Sequence, residues 1–135
     1  MFNALTQLQL IFAIAFSVAA CDTYGYEPER AKNNFGHEAA ECSAYFLFVS
    51  TAPGLSGETS NGLRSKYEAL FKLSASFTSL ELTEARTKLA VETMQREMKL
   101  DWSNLSIVNQ KYGYACIDFS KDPEPRLKYW LEKKD

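Results

Sequence analysis

The 135-residue sequence has one histidine, His37, and three cysteines, and both shortages limit its chemistry. One imidazole cannot supply the ligand set usual for a catalytic zinc ion, and a Ser/His/Asp set with His37 as its base cannot be placed either. The cysteines have no CxxC spacing, and the GxSxG, GxxxxGK[ST] and GxGxxG motifs are absent. We therefore expect no enzyme activity and no cofactor.

The segment around His37 is similar to a zinc-protease motif and departs from it at one decisive position. The run His37-Glu38-Ala39-Ala40-Glu41 has Glu41 where HExxH requires a second histidine. Acidic residues in the first turn of a helix are explained by the helix dipole. We predict that His37 lies at a helix start and that the chain has no metal site.

Excess charge of either sign is also lacking, since 15 basic and 17 acidic residues give a formal net charge of −2. A general nucleic-acid binder would show a basic excess, so we predict no nucleic-acid partner. Once a leader is removed, the length suits a single domain with its own core.

Charged side chains are absent from the first 21 residues, and the first basic residue is Arg30. Residues 8–20 are almost wholly apolar, which suits a signal peptide and falls short of the roughly 20 residues that span a bilayer. The start departs from the usual pattern, because signal peptides normally begin with lysine or arginine. We predict a signal peptide over 1–20 and a polar tether over 21–34. The alternative is that residues 1–20 form a buried first helix of the domain.

The four residues Val18-Ala19-Ala20-Cys21 resemble a bacterial lipobox. That resemblance implies cleavage before Cys21, a diacylglycerol on its sulfur and a membrane anchor. Asp22 resembles the signal that keeps some lipoproteins in the inner membrane. The alternative is that Cys21 merely follows an ordinary cleavage site. Both alternatives predict an exported, periplasmic protein.

The odd number of cysteines is resolved if Cys21 is lipidated, because Cys42 and Cys116 then form one pair. Both fall among apolar positions of predicted helices, and an exported protein meets oxidising conditions. Such a bridge closes a loop of roughly 75 residues and would stabilise the fold by about 4 to 5 kcal/mol on the entropic model. The alternative is two separate buried thiols.

Apolar residues recur at spacings of three and four in four segments, a pattern that predicts amphipathic helices. The stripes are Phe35, Ala39, Cys42, Phe46 and Val49; Leu63, Tyr67, Leu70, Ser74 and Phe77; Leu82, Ala85, Leu89 and Met94; and Leu105, Val108, Tyr112, Cys116 and Phe119. Asp122-Pro123 predicts the start of a short fifth helix. We predict an all-α domain over 35–135: a small antiparallel four-helix bundle with a short C-terminal fifth helix.

Two functions follow from these patterns. The first is an exported helical envelope protein, anchored through Cys21 if that residue is lipidated, that binds or modulates another envelope protein. The alternative is a carrier of a small molecule, a metal or haem, with His37, Met94 or Met98 as ligands inside the bundle.

Overall fold

The structure is a computed structural model that describes residues 27–134. Within this range the chain is all-helical, as predicted, and contains no strand. Residues 1–20, the predicted signal peptide, lie outside the described range. None of the described helices is long and apolar enough to cross a membrane. The first three are α1 (Pro28–Val49), α2 (Gly57–Phe77) and α3 (Leu80–Glu97).

The fourth helical segment, α4, spans 102–121 and changes its winding along its length. Its parts are a 3₁₀ turn at Trp102–Asn104, an α-helical turn at Leu105–Val108, a π turn at Asn109–Gly113 and an α-helix at Tyr114–Lys121. The last described helix, α5, covers Glu124–Glu132. A π turn inserts an extra residue into one helical turn and often occurs at functional positions.

The first helix, α1, lies at the centre of the fold and contacts each of the other four helices. Its second half is buried on all sides, because consecutive residues from Cys42 to Phe46 are all shielded from solvent. Ala39, Ala40 and Ser43 are small enough to let neighbouring helices approach closely. The core therefore surrounds α1.

Two helices begin earlier than the sequence predicted. The helix α1 starts at Pro28, so residues 28–34 of the predicted tether are helical. Proline suits the first turn because its missing N–H would have no helical partner there. The helix α2 starts at Gly57, where the Ser56 side chain accepts a hydrogen bond from the Thr59 amide at 3.1 Å. Polar first turns carry no apolar stripe, which is why the periodicity located both starts too late.

Three of the four predicted stripes face the core. In α1 and α4 almost every stripe residue is buried, and in α2 the stripe is partly or fully buried. The fully buried members are Phe35, Ala39, Cys42, Phe46, Leu70, Ser74, Val108, Tyr112, Cys116 and Phe119.

The predicted stripe of α3 is wrong apart from Met94. Leu82 and Leu89 are 38% and 59% exposed, whereas Thr83 and Thr87 are buried. A pair of hydroxyl groups fixes the rotation of α3 about its own axis, because the Thr83 hydroxyl lies 2.9 Å from that of Ser74 in α2. A short connection after α2 ends at Ser79, which caps α3 through the Leu82 amide. This hydrogen bond satisfies the buried hydroxyl of Thr83 and turns the face with Leu82 and Leu89 outward, whereas the buried hydroxyl of Thr87 has no hydrogen-bond partner among the described residues.

Candidate functional site

Cys42 on α1 and Cys116 on α4 form a disulfide, which confirms the predicted pair. Their Cα atoms lie 5.0 Å apart, inside the range that a disulfide can bridge. The two cysteines are 5% and 2% exposed. The bond therefore joins the central helix to α4 within the core and excludes the alternative of two separate thiols.

A groove of about 590 Å³ lies above this bond, between α1, α4 and α5. We call it the disulfide groove. Its floor is apolar and consists of the two cysteines together with Tyr112, Ala115 and Phe119. Pro125, in the first turn of α5, also lines the groove. Concave sites with an apolar lining and a few polar groups are the usual form of binding sites.

One rim of the disulfide groove is closed by an ion pair between α5 and α1. The guanidinium of Arg126 donates to both carboxylate oxygens of Glu38, with Nε at 3.0 Å from Oε2. This hydrogen bonding raises the pKa of Arg126. A two-point contact of this kind fixes both direction and distance, so it holds α5 against α1.

Another rim position is held by Lys111, which pairs with Glu97 of α3. The Tyr112 hydroxyl donates to the same carboxylate oxygen of Glu97 at 3.2 Å. The hydrogen bond from Lys111 to Glu97 raises the pKa of Lys111. Burial raises the pKa of Tyr112. Both cations that line the groove are thus already neutralised by carboxylates.

Three further carboxylates line the groove, on Glu41, Asp118 and Asp122. The Asp122 side chain accepts from the Glu124 amide at 3.1 Å just ahead of α5, and this neutral donor leaves the carboxylate without a cationic partner. Asp118 lies 3.9 Å from Lys121, and both side chains are largely exposed. Within residues 27–134, Glu41 makes no ion pair of 4.0 Å or less. The disulfide groove therefore has an apolar floor and an excess of negative charge.

The residues considered as ligands of a carrier lie in different surroundings. Met94 and Met98 are buried in the core, whereas His37 is exposed. His37 and Glu41 line a cavity of about 130 Å³ whose lining does not include either methionine. In the part of the chain that the structure describes, no three His, Cys, Asp or Glu residues are grouped as a metal site.

His37 also differs from its prediction as a helix-start residue. Because α1 begins at Pro28, His37 lies well inside the helix, and the acidic residue of the first turn is Glu29. The predicted lipidation site, Cys21, lies outside the residues that the structure describes.

A second concave surface follows the π turn of α4, and little in the sequence predicts it. This furrow of about 420 Å³ contains no charged side chain: it is lined by Tyr45, Ser106, Asn109, Gln110, Gly113, Tyr114 and Ile117. We call it the neutral furrow. The one sequence signal was Gly113, since glycine inside a helix costs about 1 kcal/mol relative to alanine.

Comparisons with known proteins do not add a family to this geometry. No protein-family model matches the chain, and no curated protein or solved structure matches it either.

Proposed function

We propose that this chain is an exported, non-enzymatic helical protein of the bacterial envelope that binds another envelope protein. Export is supported by the apolar residues 8–20 and by the lipobox-like sequence ending at Cys21. The Cys42–Cys116 bond adds support, because disulfides persist where thiols are oxidised. A lipid on Cys21 would hold the protein on the periplasmic side of a membrane, and Asp22 favours the inner one.

The observation that carries the binding proposal is the charge of the disulfide groove. Its cations are paired with Glu38 and Glu97, whereas Glu41 and Asp122 lie beside the apolar floor with no ion-pair partner in the described part of the chain. An amphipathic segment with lysine or arginine beside apolar residues complements both properties. We therefore assign the groove to a basic, amphipathic segment of the partner protein.

Binding of two model peptides tests this assignment. The probes are a labelled amphipathic peptide of lysine and leucine and its counterpart with glutamate in place of lysine, titrated at physiological salt by fluorescence anisotropy. Only the lysine peptide is expected to bind. The variant E41K/D122N is expected to weaken binding by about tenfold or more, equivalent to about 1.4 kcal/mol. Asparagine at position 122 retains an oxygen that can accept the hydrogen bond from the Glu124 amide.

The matched control is E58K/E68Q, which changes the net charge equally at exposed positions of α2. Neither Glu58 nor Glu68 lines the disulfide groove, and at this salt concentration charges are largely screened beyond a Debye length of about 8 Å, so the control is expected to bind almost as wild type does. Binding of the glutamate peptide, failure of the lysine peptide to bind, or equal weakening in both variants would contradict the assignment.

We also propose that the four longer helical segments form an antiparallel bundle with α5 across one end. Short connections support this arrangement, since only residues 50–56 separate α1 from α2 and residues 78–79 separate α2 from α3. The disulfide between α1 and α4 supports it as well, because these helices are neighbours in such a bundle.

A further inference from the structure

The cavity of about 130 Å³ beside His37 lies between α1 and α3, and charged side chains of both helices line it. We call it the His37 cavity. His37 and Glu41 line it from α1, and Arg86 lines it from α3. Asn33, His37 and Glu41 follow one another at intervals of four residues, so they lie on the same side of α1. The walls of the cavity thus carry an imidazole, a carboxylate and a guanidinium group.

The guanidinium group of Arg86 is held in place by uncharged acceptors. It donates to the backbone carbonyl of Asn33 at 3.3 Å and to the side-chain oxygen of Asn33 at 2.8 Å. Arg86 is partly buried, and this loss of solvation lowers the pKa of Arg86. Within residues 27–134, Arg86 makes no ion pair of 4.0 Å or less. Its positive charge can therefore interact with an anionic group in the cavity.

Glu41 supplies the opposite charge on the cavity wall. It is partly buried, and although Arg86 lines the same cavity, the two side chains do not form an ion pair in the part of the chain that the structure describes. The hydroxyl groups of Thr93 and Tyr112 also line the cavity, but each already donates a hydrogen bond to another residue. The groups that remain for a ligand are thus one cation, one anion and the His37 imidazole.

These charges select the class of ligand. A simple anion would be repelled by Glu41 and a simple cation would be repelled by Arg86, whereas a small zwitterion is attracted by both side chains. Benzene, with six non-hydrogen atoms, fills an apolar cavity of about 150 Å³, and alanine also has six. Leu89 and Ala90 add apolar lining that suits a methyl group. Charge and volume therefore both fit a small amino acid.

We propose that the His37 cavity binds a small amino acid, of the size of alanine, in its zwitterionic form. The ligand carboxylate accepts hydrogen bonds from Arg86 and His37, and the ligand ammonium group donates to Glu41. Hydrogen bonds between charged groups are the strong ones in proteins, so the two ends of the ligand supply most of the affinity. Glu41 also lines the disulfide groove, whereas Asp122 lines the groove and not the cavity, so variants can separate the two sites.

Three ligands of equal size test the site in an NMR titration of the purified protein. They are L-alanine, L-lactate, which has a hydroxyl in place of the ammonium group, and L-alaninamide, which has an amide in place of the carboxylate. L-alanine is expected to shift the amide signals of residues 86–93 in a saturable way. Each of the other two is expected to bind about tenfold more weakly or worse, because each loses one contact between opposite charges.

Two variants assign the contacts to their side chains. E41Q is expected to weaken the binding of L-alanine by about tenfold and to leave that of L-lactate no weaker, since L-lactate has no ammonium group. R86Q is likewise expected to weaken the binding of L-alanine and to leave that of L-alaninamide no weaker. A loss that depends on the ligand in this way distinguishes direct contact from a general effect on folding, which circular dichroism also checks.

The matched controls are D122N, which removes a carboxylate of the disulfide groove outside the cavity, and R64Q, which removes an exposed cation of α2. Both are expected to bind L-alanine as wild type does. Absence of saturable shifts with L-alanine would overturn the site, as would equal weakening in the controls. L-lactate or L-alaninamide that binds as tightly as L-alanine would show a site for an anion only or a cation only, and either result would overturn the zwitterion.

Discussion

Tyr45 shows how one buried side chain connects the central helix to the irregular part of α4. Its ring is 6% exposed, and its hydroxyl donates to the Asn109 side chain at 3.1 Å. Burial raises the pKa of Tyr45. The folded state therefore keeps the Tyr45 proton at a pH where the unfolded chain, with a pKa of about 10, has lost it.

Replacement of Tyr45 by phenylalanine is expected to change the alkaline stability of the protein. At pH 7 the variant should lose about 1 kcal/mol of unfolding free energy, because the hydrogen bond to Asn109 is removed. In wild type, the raised pKa of Tyr45 contributes to the free energy of unfolding in full below pH about 10. This contribution is lost as the pH rises through the higher pKa that Tyr45 has in the folded state. The fall in stability above pH 10 should therefore be shallower in Tyr45→Phe. Urea unfolding at a series of pH values measures it.

Asn109→Ala separates the two effects, because it removes the hydrogen bond and keeps the ionisable tyrosine. This variant should lose stability at pH 7 and retain the steep fall in unfolding free energy above pH 10. Burial also raises the pKa of Tyr112, so Tyr112 contributes to that fall in every variant. If the unfolding free energy of Tyr45→Phe falls with pH above pH 10 as steeply as that of wild type, Tyr45 does not ionise on unfolding.

At the scale of helices, the sequence predicted the elements well and the orientation of one of them poorly. Apolar periodicity located the stripes of α1, α2 and α4, and parity together with position predicted the Cys42–Cys116 bond. Apolar periodicity failed to predict the buried face of α3, because the hydrogen bond between Thr83 and Ser74 of α2 determines which face is buried. Such long-range pairing of hydroxyl groups leaves no periodic mark in the sequence. The disulfide groove escaped prediction for the same reason, since α5 supplies Arg126 from a distant part of the chain.

Gly36 permits the close approach of α1 to the junction between α2 and α3. A Cβ at this position would lie 2.5 Å from the methyl group of Thr78, whose hydroxyl donates to the Ser74 carbonyl at 2.9 Å. Gly36→Ala is therefore expected to destabilise the protein by about 1 to 2 kcal/mol, because overpacking costs more than the gain in helix propensity. The measurement is the midpoint of urea unfolding at unchanged slope.

Gly62 provides the matched control within α2. It is exposed, and a Cβ there would meet no atom within 4 Å. Gly62→Ala should stabilise the protein by about 0.4 to 1 kcal/mol through reduced entropy of the unfolded chain. A shift of the two variants in the same direction would show that contact with Thr78 does not limit position 36.

For the molecule as a whole, cleavage before Cys21, lipidation of Cys21 and oxidation of Cys42 and Cys116 belong to one proposal. One measurement of mass tests all three. When residues 1–135 are produced in a bacterium, the proposed function requires that the mature protein begin at Cys21, with a lipid adduct in its intact mass. Reduction should then add the mass change of a single disulfide, because Cys42 and Cys116 are joined. Mass spectrometry before and after reduction tests both expectations.

Cys21→Ser is the matched variant, which should lose the adduct and the membrane partitioning while it retains the disulfide. A natural product that keeps residues 1–20 would rule out cleavage, and unchanged partitioning in Cys21→Ser would rule out the lipid. Two thiols that react without reduction would contradict the oxidised state.

The disulfide also determines which part of the chain can transmit a mechanical load. Cys42 and Cys116 are 74 positions apart and close a covalent loop that contains all of α2 and α3. If Cys21 is anchored to a membrane and a partner is bound near α5, as proposed above, tension between them would pass directly across the sulfur atoms. Roughly 250 Å of extended chain, at about 3.4 Å per residue, would thus stay unstretched until the bond is reduced. A reduced chain could lengthen by that amount only once the helices of the loop also unfold, whereas an oxidised chain could not lengthen there at all.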